Sequence, residues 1–345
     1  MKDVARIAGV SVSTVSRVIN RNVPVNDKTR ILVNDAIDQV NYRRNLLASG
    51  LRSKSGSLIG LAVPEIGNES FDMFIKYTEE YVRAHSYGLI IGGIHNDPDD
   101  EAEFIDHLIR RAVDGIIFIR VSDDSHALEM LNATTIPYVV LDRGGSSAIA
   151  PAVVMDNYHS GRLAAQHLMQ LGHREFACVT GGLNVPLSRE RLSGFSDTLK
   201  AAGCSLRDGN IFEGDFEFEN GVELASSLLN AKHRATAVWA QNDSMAIGIM
   251  AGVVDRGLRV PTDLSIMGVD DIGACRMVRP ELTTVRQPFQ SMSEAAVKLL
   301  FRERELGKRI SEHIVVPAEL VIRQSTAPPL SQSVSSASQI VKEIS

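Results

Sequence analysis

Between Val12 and Asn20 the chain carries side chains suited to reading double-stranded DNA. At helical spacing Ser13, Thr14, Ser16, Arg17 and Asn20 fall outside, while Val15, Val18 and Ile19 turn inward. Arg17 has the forked donor that takes the O6 and N7 of a guanine together in the major groove. Thr14 and Asn20 suit phosphate oxygens, contacts that set register and carry no sequence information. Val12, just ahead of this helix, completes the candidate DNA-contacting set. Any one exposed serine or arginine fits a solvated helix face equally well, so the joint pattern carries the argument. Charge supports it: residues 1–56 hold ten Lys/Arg against four Asp, a net +6, whereas the whole chain is −6 and the remainder therefore −12. A basic module that approaches phosphates and an acidic body that stays away follow from that asymmetry.

Other chemistries find little support. Cys178, Cys204 and Cys275 are widely spaced and form no CxxC or Cys/His metal pattern. Gly181 and Gly182 lack the G-x-G-x-x-G context of a dinucleotide site, and no G-x-S-x-G elbow occurs. Histidines and acids are scattered, with His173 placed to cap a turn. No cofactor, no metal and no catalysis are expected. No stretch approaches the roughly 18 apolar residues of a membrane span, and a charged helical pattern begins at Met1 with no apolar leader. The expected location is cytoplasmic, on the nucleoid when DNA is bound.

The elements that must position Arg17 are three short helices. The first runs from Asp3, with Val4, Ala5, Ile7 and Ala8 on one face, and Gly9 ends it in a left-handed turn. Ser11 or Ser13 caps the second. Val25-Asn26-Asp27 caps the third, which extends to about Asn41, with Ile31, Leu32, Ala36, Ile37 and Val40 approximating a core stripe. From Ser57 the pattern becomes alternating strands and helices. Strands are expected over 58–63, 88–92, 115–119, 138–141, 176–180, 237–240 and 264–269. Helices are expected over 71–84, 99–111, 158–171, 190–202, 221–229 and 243–256. The fold class is an N-terminal all-α helix-turn-helix headpiece followed by an α/β core of two doubly wound parallel-sheet lobes.

The segment from Lys2 through Arg17 to Asn20, continued by Thr29, Arg30, Asn41, Tyr42, Asn45, Ala48 and Leu51, resembles the headpiece of the lactose/galactose repressor family. The resemblance continues through 171–174, 189–195, Asn242, Asp243, 268–271, 283–289 and 317–326. It implies a periplasmic-binding-protein-like core, a homodimer, a pseudo-palindromic DNA operator and a small-molecule effector held between the lobes. It implies a helix-turn-helix domain over 1–44 and a hinge over 45–56 that becomes helical on DNA. There Asn45, Ala48 and Leu51 contact DNA, with Leu51 as a wedge in the minor groove. The family usually has proline where Arg44 stands, and Gly50 inside a hinge helix costs about 1 kcal/mol relative to alanine. The effector domain spans 57–327, with one lobe over about 57–154 and 288–315 and the other over about 155–287 and 316–327. The Ser-rich remainder, 328–345, reads as a flexible tail without coiled-coil heptads.

Carried over residue by residue, the effector contacts are Arg191, Phe216, Asn242, Asp270 and Gln287. In the first lobe they are Ser70, Phe71 and Arg120, with Ser70 standing where the family commonly has an aromatic platform. Carboxylate, guanidinium and amide together suit polyols, whose hydroxyls both donate and accept. Arg120 with Arg191 points to an acidic sugar derivative. Ordinary alternatives stand beside these roles: Asp270 also fits a loop cap, Arg191 an ion pair between lobes, and Phe216 core packing. The combined reading is a DNA-binding transcription repressor with a carbohydrate-type effector. Its rivals are a sugar-binding transport protein, against which the basic headpiece counts, and an enzyme.

Overall fold

The computed structural model describes residues 1–20, 25–40, 57–121, 126–144 and 150–330. It separates into two units, Met1–Gly56 and Ser57–Ser345. In the first, α1 (Lys2–Ala8) ends at Gly9, whose φ of 63° is the left-handed conformation that glycine adopts without strain. α2 (Val12–Asn20) and α3 (Asp27–Gln39) follow. Asn26 caps α3, its side chain accepting from the Lys28 N–H. The core is a small cluster of Val4, Ala5, Ala8, Val15, Val18, Val33 and Ala36. One element of the sequence reading is corrected here. Ile31 and Leu32 are 57% and 53% exposed, and the buried apolar positions of α3 are Val33 and Ala36. With so few residues to enclose, only a narrow stripe of α3 meets the other two helices.

The second unit contains two six-stranded sheets of matching order. In the first, β1 (Leu58–Val63) pairs in parallel with β2 (Gly88–Gly93) and β3 (Gly115–Phe118), and β4 (Tyr138–Leu141) and β5 (Ala152–Met155) extend it. In the second, β6 (Phe176–Thr180) pairs with β7 (Ile211–Glu213) and β8 (Ala237–Ala240), followed by β9 (Ser265–Asp270) and β10 (Thr283–Arg286). The chain then returns to each sheet once. β11 (His313–Val316) lies parallel to β5, and β12 (Glu319–Val321) lies antiparallel to β10. The crossings between sheets therefore fall after Met155, after Arg286 and after Val316. Interior strands such as β3, β4, β6 and β8 are buried along their whole length, as continuous apolar runs covered on both faces must be.

Helices cover both faces of each sheet. α4 (Glu69–Ala84) and α11 (Phe289–Leu306) pack together on the first, as do α7 (Asn157–Gln170) and α8 (Pro186–Ala201) on the second. These form one apolar core continuous across the two sheets, in which Phe195 stacks on Trp239 at 4.8 Å and Phe74 meets Phe289 edge-on at 4.9 Å. The opposite face of the first sheet carries α5 (Pro98–Arg110) and α6 (Ala127–Asn132); that of the second carries α9 (Phe218–Leu229) and α10 (Asp243–Asp255). Sequence periodicity alone does not pick out β5, β7, β10, β11 or α6, each six residues or fewer, nor the 18-residue α11. His173 is also more than a turn cap. It is 1% exposed and joins three segments, its Nδ1 paired with the Thr236 hydroxyl at 2.8 Å and its Nε2 with the Ala327 carbonyl at 2.9 Å. Burial lowers its pKa to about 4. Among the described residues no helix is long and apolar enough to cross a membrane.

Candidate functional site

In the headpiece the second helix is fixed at its start by Ser11, whose Oγ accepts the Thr14 N–H at 3.1 Å. This is the N-cap, satisfying a donor that the first turn would leave bare. Burial of Val15 and Val18 against α1 and α3 leaves Val12, Ser13 and Arg17 exposed. Arg17 makes no ion pair among the described residues, whereas Arg6 and Arg30 are held by Asp3 and Asp27 within their own helices. Thr14 and Ser16 are half-buried rather than fully outside. The Thr14 hydroxyl already pairs with Ser11 Oγ at 2.8 Å, so the Ser11 cap draws it inward. The side chain of Asn20 and all of Asn45, Ala48 and Leu51, with the hinge and most of the tail, lie outside the described residues.

In the second unit the candidate site lies where the carboxyl ends of both parallel sheets face each other, the place where strand order reverses and loops diverge. Most of its polar side chains stand at or just after the end of a strand. Ser70 and Phe71 begin α4 after β1, with Asn68 as N-cap accepting the Ser70 N–H. Asp142 and Arg143 follow β4, Asn242 follows β8, Asp270 ends β9, and Gln287 follows β10. Phe216 lies beyond β7, with its ring over Gly181, where a Cβ would come within 1.8 Å of it. Three of these residues hold left-handed backbone: Asp142 (φ 66°), Phe216 (φ 74°) and Asp270 (φ 123°). Such strain, on the order of 1–3 kcal/mol each, persists only where surroundings enforce it, and it concentrates at ligand sites.

A hydrogen-bonded chain organises the floor. Arg191, 2% exposed on α8, donates Nε to Asn157 Oδ1 at 2.9 Å and Nη1 to the Gln241 carbonyl at 2.5 Å. Its Nη2 reaches Gln287 Oε1 at 3.4 Å, and Gln287 Nε2 donates to Asp142 Oδ1 at 2.7 Å. Asn157 and Gln287 each stand at a crossing between sheets, so Arg191 ties two crossings together. Bonds also pass directly from lobe to lobe. Ser70 Oγ donates to Asp270 Oδ2 at 2.7 Å, and the Gly273 N–H donates to Glu69 Oε1 at 2.5 Å. Asn242 caps α10 through Oδ1 and donates Nδ2 to the Phe216 carbonyl at 2.6 Å, holding the aromatic turn.

The electrostatics are those of a dry, charged cavity. Burial pushes the Asp270 carboxyl well above the usual range, with Arg191 opposing, and raises Asp142 against the pull of Arg191 and Arg143. Burial likewise lowers the pKa of Arg143. Behind Asp270, burial raises Asp243 to about 7, while the Cys275 thiol, the Thr284 hydroxyl and the Ile272 N–H all donate to it. Asp243 thereby pins the loop that carries Asp270. The side chains enclose a cavity of about 40 Å³, far below the roughly 300–1,000 Å³ of ordinary ligand clefts. A ligand there meets the bonds between the lobes, since Ser70 and Asp270 line the cavity.

Seven of the eight effector residues read from the sequence line this one cavity: Ser70, Phe71, Arg191, Phe216, Asn242, Asp270 and Gln287. Arg120 does not line it. It is 5% exposed at the end of β3, and its carbonyl accepts from Arg143 Nη1 at 3.3 Å. The cationic position in the first lobe belongs to Arg143, one strand over. Arg143 and Asp142 are legible as charged residues directly after an apolar strand, Tyr138–Leu141, the same signal that singles out Arg120. Asn96, Asp215 and Glu217 also line the cavity; they sit in irregular turns with no comparable signal.

Comparison with known proteins agrees with this architecture. Residues 1–45 match the family model of bacterial regulatory proteins of the lacI family, and residues 165–326 match a periplasmic binding protein-like domain. The chain is 34% identical over 325 residues to catabolite control protein A of Priestia megaterium, covering 94% of this chain and 98% of that protein. It superimposes on the lac repressor dimer bound to operator and the anti-inducer ONPF with a TM-score of 0.86 at 28% identity, covering 94% and 98%. On the complex of the transcriptional regulator CelR with cellobiose the TM-score is 0.73 at 27% identity, with the same coverage. The chain belongs to the lacI family of bacterial regulatory proteins. It is a DNA-binding transcriptional repressor governed by a small-molecule effector, and not an enzyme.

Proposed function

We propose that the effector is a sugar or sugar derivative bound between the two lobes of the second unit, and that its binding alters the affinity of a homodimer for a pseudo-palindromic operator. The observation that carries this reading is the cavity itself, where carboxylate, amide and guanidinium side chains from both sheets converge beside the rings of Phe71 and Phe216. Sugar hydroxyls satisfy such a mixture of donors and acceptors, and the rings suit their apolar faces. The cellobiose bound by CelR and the operator-bound dimer of the lac repressor support the same reading by likeness.

The DNA contacts of this account are Val12, Ser13, Thr14, Ser16, Arg17 and Asn20 in the major groove, with Asn45, Ala48 and Leu51 in the hinge. A dimer places two copies of α2 in successive major grooves. Parting or closing the lobes then orders or frees the hinge, and the effector shifts operator affinity only by its differential binding to the two conformations. The protein acts in the cytoplasm, on the nucleoid when bound to its operator. A gel shift on the DNA upstream of its own gene tests the account. Retardation at low salt that a sugar or sugar derivative strengthens or weakens is expected; no retardation, or retardation that no such compound alters, sinks it.

A further inference from the structure

Arg143 has a donor edge with no acceptor among the described residues. The residue is 6% exposed and lines the cavity between the lobes. Its Nη1 donates to the carbonyls of Arg120 and Val121, both at 3.3 Å, which fixes the plane of the guanidinium. Its Nε is fully buried with no hydrogen-bond partner, and no hydrogen bond from Nη2 is made among the described residues. Nε and Nη2 form one side of the guanidinium fork, the pair of parallel N–H groups that matches two oxygens of a carboxylate or phosphate.

The surroundings make an anion the fitting partner. The guanidinium carbon lies 5.5 Å from the ring centre of Phe71 in one lobe and 5.7 Å from that of Phe216 in the other. Two aromatic faces stabilise the cation but supply no acceptor for its N–H groups. Burying a cation and leaving its donors unmade is costly, and an anion that accepts them recovers that cost in a medium where charge pairing is strong. The neighbouring carboxylate of Asp142 stabilises Arg143 by its charge but makes no hydrogen bond to it among the described residues, and its Oδ1 accepts from Gln287. Of the acids that line the cavity, Asp142 and Asp270 have their pKa raised by burial, which lessens the cost of bringing a second negative charge beside them. Arg191 gives three of its donors to Asn157, Gln241 and Gln287 and serves the floor.

We infer that Arg143 is the anion reader of this cleft and that the effector is an anionic polyol, a sugar acid or a sugar phosphate, whose charged group takes the Nε–Nη2 edge. The inference rests on the reading of the cleft as a polyol site and narrows it. It also moves the cationic role from Arg120 to Arg143.

The test is calorimetry on the full chain, with hexonates and hexuronates as one arm, hexose and pentose phosphates as a second, and the matching neutral sugars as a third. At least one anionic compound is expected to bind about 10- to 100-fold more tightly than its neutral counterpart, the scale of hydrogen bonds to a charged group. The first two arms distinguish carboxylate from phosphate. Arg143→Met, which keeps the bulk, is expected to abolish that preference. Arg143→Lys, which keeps the charge and loses the fork, is expected to fall between them and guards against a Met variant that fails to fold. Neutral sugars that bind as tightly as their anionic counterparts, or a preference that survives Arg143→Met, overturn the inference alone. If no compound of any arm binds, or binding leaves operator affinity unchanged, the polyol reading falls and this inference with it.

Discussion

Phe216 is held at three points: a left-handed backbone (φ 74°), its carbonyl bonded to Asn242, and its ring resting over Gly181. Gly181→Ala puts a methyl group into that ring, and overpacking of this kind costs about 1–3 kcal/mol. The ring is expected to swing aside, weakening the effector while the rest of the fold stays intact. Calorimetry beside a thermal melt checks this, and unchanged affinity contradicts it. At Arg17 the expected loss is in reading. Arg17→Ala costs about 1–3 kcal/mol at one guanine and relaxes preference at that position; competition between the operator and a variant lacking that base pair measures it. At this scale the sequence is legible where a residue's job is local. The exposure of Arg17 and a serine cap at Ser11 or Ser13 follow from spacing within one helix. Arg120 and Arg143 look alike in sequence, each standing within two residues of an apolar strand's end. Which of them enters the cleft depends on the pairing of β3 with β4 and on the turn at Asp142, which a linear pattern does not contain.

The elements show the same division. Strands long and apolar enough to be covered on both faces announce themselves, and most amphipathic helices do so too, although the 18-residue α11, which follows the family-like 283–289 segment, is not among those expected. β7 and β12, three residues each, owe their existence to a neighbouring strand rather than to their own composition. α3 shows the opposite failure, since Ile31 and Leu32 are apolar yet face outward. The end of the second sheet distant from the cleft is joined by His173, and this gives a pH dependence. Its pKa is lowered to about 4 in the folded chain, so the neutral ring is favoured there and the unfolded chain takes the proton first. The stability it contributes is complete above about pH 6.5 and is lost as pH falls toward 4, a change on the order of 3 kcal/mol. His173→Gln is expected to flatten stability against pH within that window, as followed by urea unfolding at several pH values. A variant as acid-sensitive as the wild type contradicts the assignment.

Across the whole molecule the charge asymmetry and the two matching sheets define a switch. A basic headpiece of +6 precedes a remainder of −12. Operator affinity is therefore expected to fall steeply and log-linearly with salt, because neutralised phosphates release counterions. Within the effector unit the lobes are joined by Ser70 with Asp270, Glu69 with Gly273, and Asp142 with Gln287. An effector bound in the cleft as proposed would replace these bonds, and the resulting difference in lobe geometry would be what the operator-binding state senses. The most direct test of the account is the operator dissociation constant, measured by fluorescence anisotropy at fixed salt with the cleft first free and then saturated by a compound shown to bind there. The account predicts a change of about 5- to 150-fold, the usual range of coupling between two sites, and its loss in Asp270→Asn. The same dissociation constant at both states of the cleft would contradict it.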